Sequence, residues 1–325
     1  MVYTNFPNGV TSFGVPMIGG VGGLPMTGRW MFCDAVNGRD GGDGTADDPF
    51  ASITHAFDQA TAGNNDVIVI VGDGSTSATQ RLSEQLVWSK AATHLIGMTA
   101  PSMVAQRARI STASGATTNI ANLVSVTAQG CAFLNFSLFQ GVGQSATAEQ
   151  LWQDAGQRNY YGNVAFGGMG SANGAGQAGS YSLKLYGGSE NLFDGCFFGA
   201  DTQDRSAANT NVQLRKNASN VASTRNVFRN CLFAMRASAA TPTFIDANES
   251  GSVDRFNLFK GCTFTNFGTA IDAGVAFNAS QGGYTILDGC AGINVTAWAG
   301  SATTTVQIVN GADSVDSGGL AVAQS

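Results

Sequence analysis

Two acidic residues and an arginine stand close together in the second half of the chain, at Asp201, Asp204 and Arg205. Paired carboxylates at a set separation can hydrolyse a glycosidic bond. An arginine is one of the side chains that can act as base when a polysaccharide is cleaved by elimination. Asp246 and Glu249 follow further along and could share a face with them. We favour an ordinary solvated loop with a local ion pair, so the sequence predicts no enzyme, with Asp201, Asp204 and Arg205 as the weak catalytic alternative.

Other reactive side chains are few. Acidic residues cluster in the glycine-rich loop 34–48, and hard cations such as calcium favour clustered carboxylates. The spacing does not match an EF-hand loop, so we predict a turn-rich loop without a metal, and no cofactor elsewhere. The two histidines, His55 and His94, are expected to be structural.

A short motif that recurs in the C-terminal half predicts how these residues are positioned. It reads Asn-Leu-Phe-Asp-Gly-Cys at 191–196 and returns with variations at 226–231, 257–262 and 285–290. A period of about 30 residues with short apolar pieces indicates a repeat architecture made of strands. The pieces are too short for amphipathic helices.

The repeat predicts an all-β fold, a right-handed parallel β-helix, in which equivalent strands stack about 4.8 Å apart. Like residues then lie above like, which places asparagines at a corner and two files of side chains in the core. The predicted core files consist of Phe193, Phe228 and Phe259, and of Cys196, Cys231, Cys262 and Cys290. Six cysteines could form three disulfides, but this arrangement favours free, stacked thiols and folding in a reducing cytoplasm.

Composition agrees with a long solenoid. Glycine accounts for 43 of 325 residues, and only 12% of residues are charged. The net charge of −6 does not suggest a nucleic-acid partner. No run approaches the ~20 apolar residues of a membrane helix, so we predict no membrane partner.

The chain divides into three predicted segments. Residues 1–28 form an extended arm, residues 29–310 the β-helix, and residues 311–325 a terminal cap or tail. Within the β-helix we expect a capping helix near 49–62, begun by Asp48 as N-cap. We also expect an insertion at about 140–180 that projects from one turn. Its aromatic residues are interpreted as a surface for a glycan or protein, with a small core of the insertion's own as the alternative; they are Trp152, Tyr160 and Tyr161.

Two stretches resemble known families. Residues 30–98 resemble the entrance to pectate-lyase-like β-helix proteins, through Phe32-Cys-Asp-Ala-Val-Asn-Gly, Asp48-Pro-Phe-Ala-Ser-Ile and Asp66-Val-Ile-Val-Ile-Val. Residues 4–16, Thr-Asn-Phe-Pro-Asn-Gly-Val-Thr-Ser-Phe-Gly-Val-Pro, resemble the start of tailed-phage structural proteins found among head genes. The apolar arm needs a surface to cover it, either its own body or a partner. The arm residues expected to bind a partner are Asn5, Phe6, Phe13, Val15 and Met17.

These resemblances imply a phage virion structural protein on the capsid exterior. The specific prediction is a capsid decoration protein that reinforces the head shell. Its predicted partners are the major capsid protein and two further copies of itself, with which it forms a homotrimer. One alternative is a tailspike that binds or cleaves a host surface glycan. Another is a secreted polysaccharide lyase or hydrolase. The pectin-hydrolase patterns Asn-Thr-Asp, Asp-Asp and Gly-His-Gly do not accompany the repeat strands, which favours the structural role.

Overall fold

The computed structural model describes residues 28–75, 78–143, 145–268, 282–295, 297–299 and 305–309, and the backbone of short strands at 11–12, 15–16, 276–278 and 320–321. The helices are α1 Ile53–Gln59 and α2 Ala172–Ala175. The strands are β1 Thr11–Ser12, β2 Val15–Pro16, β3 Trp30–Cys33, β4 Val67–Val71, β5 Thr79–Leu82, β6 Leu86–Trp88, β7 His94–Met98, β8 Arg109–Thr112, β9 Val124–Val126, β10 Ala132–Leu134, β11 Ser137–Gln140, β12 Gln150–Asp154, β13 Tyr160–Gly162, β14 Ala165–Met169, β15 Tyr181–Tyr186, β16 Leu192–Asp194, β17 Phe197–Arg205, β18 Thr210–Arg215, β19 Val227–Arg229, β20 Leu232–Ala237, β21 Thr243–Ala247, β22 Asp254–Lys260, β23 Thr263–Asn266, β24 Ala276–Asn278, β25 Gly282–Asp288, β26 Ala291–Ile293, β27 Val306–Val309 and β28 Leu320–Ala321.

Three parallel sheets form the sides of the coil. Sheet I runs β3-β4-β7-β10-β13-β16-β19-β22-β25-β27, sheet II runs β5-β8-β11-β14-β17-β20-β23-β26-β28, and sheet III runs β6-β9-β12-β15-β18-β21-β24. Each strand of these sheets pairs with its equivalent one turn away, and among the described strands only β1 and β2 pair antiparallel. The predicted right-handed parallel β-helix is confirmed.

Aromatic rings fill the coil because parallel register repeats each inward position one turn later. Five rings of sheet I form one file, in which consecutive ring centroids lie 4.4–4.8 Å apart; they belong to Phe133, Tyr161, Phe193, Phe228 and Phe259. A second file on sheet II comprises Phe166, Phe198, Phe233 and Phe264. All nine side chains are fully buried.

The cysteines of the repeat also stack, and each thiol donates to a carbonyl one turn back. The Sγ atoms of Cys196, Cys231, Cys262 and Cys290 lie 3.3–3.5 Å from these oxygens. Cys131 lies outside this thiol file, because the strand register aligns it with Asn159, one of the stacked corner asparagines. Burial raises the pKa of the Cys131 thiol to about 11, so it remains protonated at neutral pH.

Helix α1 covers the first turn of the coil, within the region predicted for a capping helix. Its N-cap is Ser52, whose hydroxyl accepts from the His55 amide, so the prediction of Asp48 as N-cap is wrong. Asp48 instead pairs with Arg39, with Oδ2 and Nη2 2.7 Å apart. The ring of Phe57 packs on Trp88 with centroids 4.5 Å apart, which connects the helix to the core.

The predicted insertion at 140–180 is wrong in its central part. Strands β12, β13 and β14 occupy 150–169 and pair in register with the turns on both sides. Trp152 and Tyr161, expected at a surface, are both 0% exposed because they point into the coil. Tyr160 faces outward on sheet I and is half-buried. The glycines of this stretch lie partly within the strands, at Gly162, Gly167 and Gly168, and otherwise in the corners and in α2.

The predicted arm contacts Asn5, Phe6, Phe13 and Met17 lie outside the described residues, and only the backbone of Val15, in β2, is described. Of the tail at 311–325, only the backbone of β28 is described. Among the described residues, no helix has both the length and the apolar character needed to span a bilayer.

Candidate functional site

The weak catalytic alternative does not come together as a set. The register of β17 against β20 shifts between Ala200 and Asp204, so Asp201 lies on an outward bulge and is exposed. Asp204 pairs with Arg236 on the surface, with Oδ1 and Nε 2.7 Å apart. Arg205 turns inward and is 0% exposed. The expectation of a solvated loop is therefore wrong for Arg205, and two carboxylates do not face one another here.

Two carboxylates that the sequence analysis passed over are buried inside the coil. Asp154 accepts from the Tyr161 hydroxyl at 2.6 Å and from the Gly156 amide at 2.6 Å. Burial raises the pKa of Asp154 to about 6, although both hydrogen bonds act in the opposite direction. Glu149 accepts from the hydroxyl of Ser171, the N-cap of α2, and burial raises its pKa to about 7. Both carboxylates thus accept hydrogen bonds from groups of the protein.

His94 and the acidic loop also have structural partners. His94 is buried, and its Nδ1 accepts from the Ala132 amide at 3.0 Å. Burial lowers its pKa, so the neutral ring is favoured. In the loop, Asp40 accepts from the amide and the hydroxyl of Ser52, both at 2.9 Å. Within the described ranges, no group of three or more His, Cys, Asp or Glu could hold a metal ion.

The outer face of sheet II carries a groove made of two adjoining cavities that share Phe139. The cavity beside Arg81 has a volume of about 400 Å³, and the cavity beside Arg109 has a volume of about 270 Å³. We call this surface the Phe139 groove. Its remaining lining is Ser111, Thr112, Ala113, Ser114, Gly115, Ala116, Gly141, Val142 and Gly143 on the first side, and Val104, Ala105, Ser137, Leu138, Ala165, Gly167, Phe197, Gly199, Ala200, Asp201 and Thr202 on the second.

Strand geometry explains why this groove presents polar and aromatic groups together. On β11, Leu138 points into the core while Ser137 and Phe139 point out. On β8, Ile110 points in and Arg109 points out, directly beside Ser137 in register. Alternate residues of a strand face opposite sides of a sheet, so each turn contributes one outward row to the groove.

Three arginines give the groove local positive charge. Arg81 and Arg109 line the groove, and Arg107 lies nearby. Burial lowers the pKa of Arg109, and the positive charges of Arg107 and Arg81 lower it further. None of the three forms an ion pair with a described carboxylate. By contrast, nine other basic side chains do; they are Arg39, Arg158, Arg215, Lys216, Arg225, Arg229, Arg236, Arg255 and Lys260.

The arrangement can bind an anion beside an apolar ring. Guanidinium groups offer forked donors that match carboxylate, sulfate or phosphate oxygens. The half-buried Phe139 ring offers an apolar face between the two cavities. Among the described lining residues Asp201 is the sole carboxylate, so the groove lacks the carboxylate pair of a typical glycoside hydrolase.

This groove was not predicted from the sequence. Its one available signal was the pair Arg107 and Arg109, two residues apart around Ala108, which is the spacing of one strand face. Arg81 lies one turn earlier, and its register with Ser111 on β8 is a property of the coil. The distance along the chain gives no indication that these arginines are neighbours.

Comparisons with known proteins find the fold but no family. No protein-family model and no curated protein matches the chain. A pectin methylesterase from Aspergillus niger matches with a TM-score of 0.53 and 13% identity, over 91% of this chain and 90% of the other. Pectate lyase Pel9A matches with a TM-score of 0.51 and 12% identity over 83% of this chain, which spans only 64% of the length of that lyase. At these identities the likeness establishes the pectate-lyase-like β-helix alone.

A third match is to ORF18 of Geobacillus virus E2, with 13% identity over 79% of this chain and 55% of the other. Its TM-score is 0.30, which is too low to support an argument about either protein.

Proposed function

We propose that this protein is a β-helical rod that binds an anionic glycan in the Phe139 groove. The observation that carries the proposal is the group of three arginines without a described carboxylate partner, Arg81, Arg107 and Arg109, beside an outward aromatic ring on a chain whose net charge is −6. A local basic patch on an acidic protein concentrates anionic ligands at one place and repels them elsewhere.

The chemistry of the groove suits a sugar acid. Arginine forks bind carboxylates through charge-assisted hydrogen bonds, and these contribute more than neutral ones. The apolar face of a sugar ring packs on an aromatic side chain, as Phe139 allows. Ser114 and Thr202 line the two cavities, and their hydroxyl groups can bond to sugar hydroxyls. Polysaccharide enzymes are named among the fold's structural neighbours, which supports a glycan as the ligand class.

The test measures binding of polygalacturonate oligomers by calorimetry, with neutral dextran oligomers as the comparison ligand. We expect Arg109→Met and Phe139→Ala each to weaken polygalacturonate binding roughly tenfold, about 1.4 kcal/mol. The matched control is Arg255→Met, because Arg255 is an exposed arginine outside the groove and its loss should leave affinity unchanged. Wild-type affinity should fall as salt rises, since exposed charges are screened.

Two results would overturn the proposal. One is equal affinity for dextran and polygalacturonate, which would remove the role of charge. The other is an equal loss in Arg109→Met and in Arg255→Met, which would place binding outside the groove. Release of reducing ends or of unsaturated products during the titration would replace a binding role by an enzymatic one.

The virion role is a separate proposal, carried by the resemblance of residues 4–16 to phage head proteins. We propose that the rod stands on a capsid as a trimeric decoration protein, with its arm on the shell. A tailspike is the alternative that the glycan groove favours, because such a protein meets host surface polysaccharide. Copy number in purified particles separates them, since a decoration protein is present on the head in far more copies than a tailspike at the tail.

A further inference from the structure

The core contains a buried charged residue, Arg205, that the packing of the fold does not explain. Its side chain is 0% exposed, and its Nη1 donates to Asn211 Oδ1 at 2.5 Å. Its Nη2 has no hydrogen-bond partner among the described residues, and it is the only charged side chain in that condition. No described carboxylate pairs with it. A buried cation without a counter-charge is costly, so its retention needs a reason.

Arg205 lies directly behind one wall of the Phe139 groove. A Cβ placed on Gly199 would come within 2.8 Å of Arg205 Nη2, and Gly199 itself lines the cavity beside Arg109. Gly199 has a φ of +98°, a conformation that favours glycine. The backbone of Gly199 therefore lies between the guanidinium and the groove, and the Ala234 carbonyl oxygen and the Asn211 amide nitrogen lie beside it. The bulge that follows, with Asp201 and Thr202, stands outside the strand register.

We infer that Arg205 helps to bind an anion without touching it. Its counter-charge is the anionic group of a ligand that binds against Gly199. This inference rests on the proposed function and adds a buried component to it. Arg109 would bind the ligand's carboxylate from the groove side, and Arg205 would stabilise it from the core side, across the backbone of Gly199. At a given distance this interaction is stronger than that of a surface arginine, because the intervening medium is protein rather than water.

The principal test is Arg205→Met, which removes the charge and keeps much of the side-chain volume. We expect polygalacturonate to bind roughly tenfold more weakly. We expect the melting temperature to stay equal or rise, since an apolar replacement of a buried charge is often neutral or stabilising. A folded Arg205→Met variant with wild-type affinity would show that Arg205 is only structural.

A second variant covers the case in which Arg205→Met does not fold. Arg205→Gln also removes the charge but keeps an amide donor for Asn211 Oδ1, and it should bind polygalacturonate as weakly as Arg205→Met. A folded Arg205→Gln variant with wild-type affinity overturns the inference. If wild type binds no anionic glycan, the proposed function fails with it; if Arg109→Met weakens binding and Arg205→Met does not, only this inference fails.

Discussion

At the scale of single residues, the core of this β-helix accommodates two polar side chains, Tyr161 and Asp154, because they form a hydrogen bond with each other. Tyr161 occupies a position that is Phe in the flanking turns, and its hydroxyl donates to Asp154. Asp154 in turn occupies a position that is Val126 and Leu185 in the adjacent turns of sheet III. The pair satisfies its hydrogen bonds internally, as buried polar groups require.

The buried carboxylate makes stability depend on pH. The raised pKa of Asp154, about 6 against 3.8, means that the folded state holds its proton more tightly than the unfolded chain. This stabilisation is complete below pH 3.8 and is lost as pH rises through about 6. It amounts to about 3 kcal/mol. Glu149 acts in the same direction up to about pH 7, whereas buried His94, with a lowered pKa, acts in the opposite one.

The wild-type protein should lose stability as pH rises from about 4 to about 7. We therefore predict a smaller loss of stability over this range for Asp154→Asn. The measurement is the free energy of unfolding in urea at several pH values, compared with wild type. Asp47→Asn is the control, because Asp47 is exposed, and it should leave the profile unchanged. A wild-type profile retained in Asp154→Asn would mean that Asp154 is charged throughout.

At the scale of the structural elements, the corner asparagines join one turn of the coil to the next. The Oδ1 of Asn226 accepts from the Asn191 amide at 3.0 Å, and its Nδ2 donates to the Gly188 carbonyl at 2.9 Å. The Asn226 amide donates in turn to Asn257 Oδ1 at 3.2 Å. Each side chain thus satisfies buried backbone groups that the strands leave unpaired at a corner.

The prediction for this corner is that Asn226→Ala costs about 1–3 kcal/mol, because the Asn191 amide is left buried without an acceptor. Urea unfolding followed by circular dichroism measures the loss. Asn248→Ala, at an exposed position, should stay within about 0.5 kcal/mol of wild type. Equal effects of the two substitutions would contradict a stabilising role for the corner file.

At the scale of the whole molecule, the described body holds its own core and its own covering helix, so the arm can be tested separately. We predict that a chain without residues 1–28 still folds and unfolds cooperatively, because β3, α1 and the ring files remain. The same chain should lose binding to purified capsids, whereas its affinity for polygalacturonate should persist, since the Phe139 groove lies outside the arm. Binding to capsids is measured by co-sedimentation. Unchanged co-sedimentation would remove the arm from attachment.

The sequence alone determined the architecture, because a solenoid repeats its core along the chain. The period of the Asn-Leu-Phe motif fixed the stacking direction, the ring file through Phe193, Phe228 and Phe259, and the free thiols beside it. It could not assign Tyr161, whose turn lacks the motif's cysteine and reads as an irregular, glycine-rich stretch. Register with Phe133 and Phe193 shows that it belongs to the same file.

Only the tertiary structure decided which charges meet. Arg81 and Arg109 are 28 residues apart in the chain but occupy neighbouring strands, and Arg205 lies behind Gly199 because β17 bulges between them. The periodicity of apolar residues indicates which residues of a strand face inward, because burial restricts those positions to apolar types. The outward face is free to vary, so the pattern that predicts the coil carries no information about the groove on its surface.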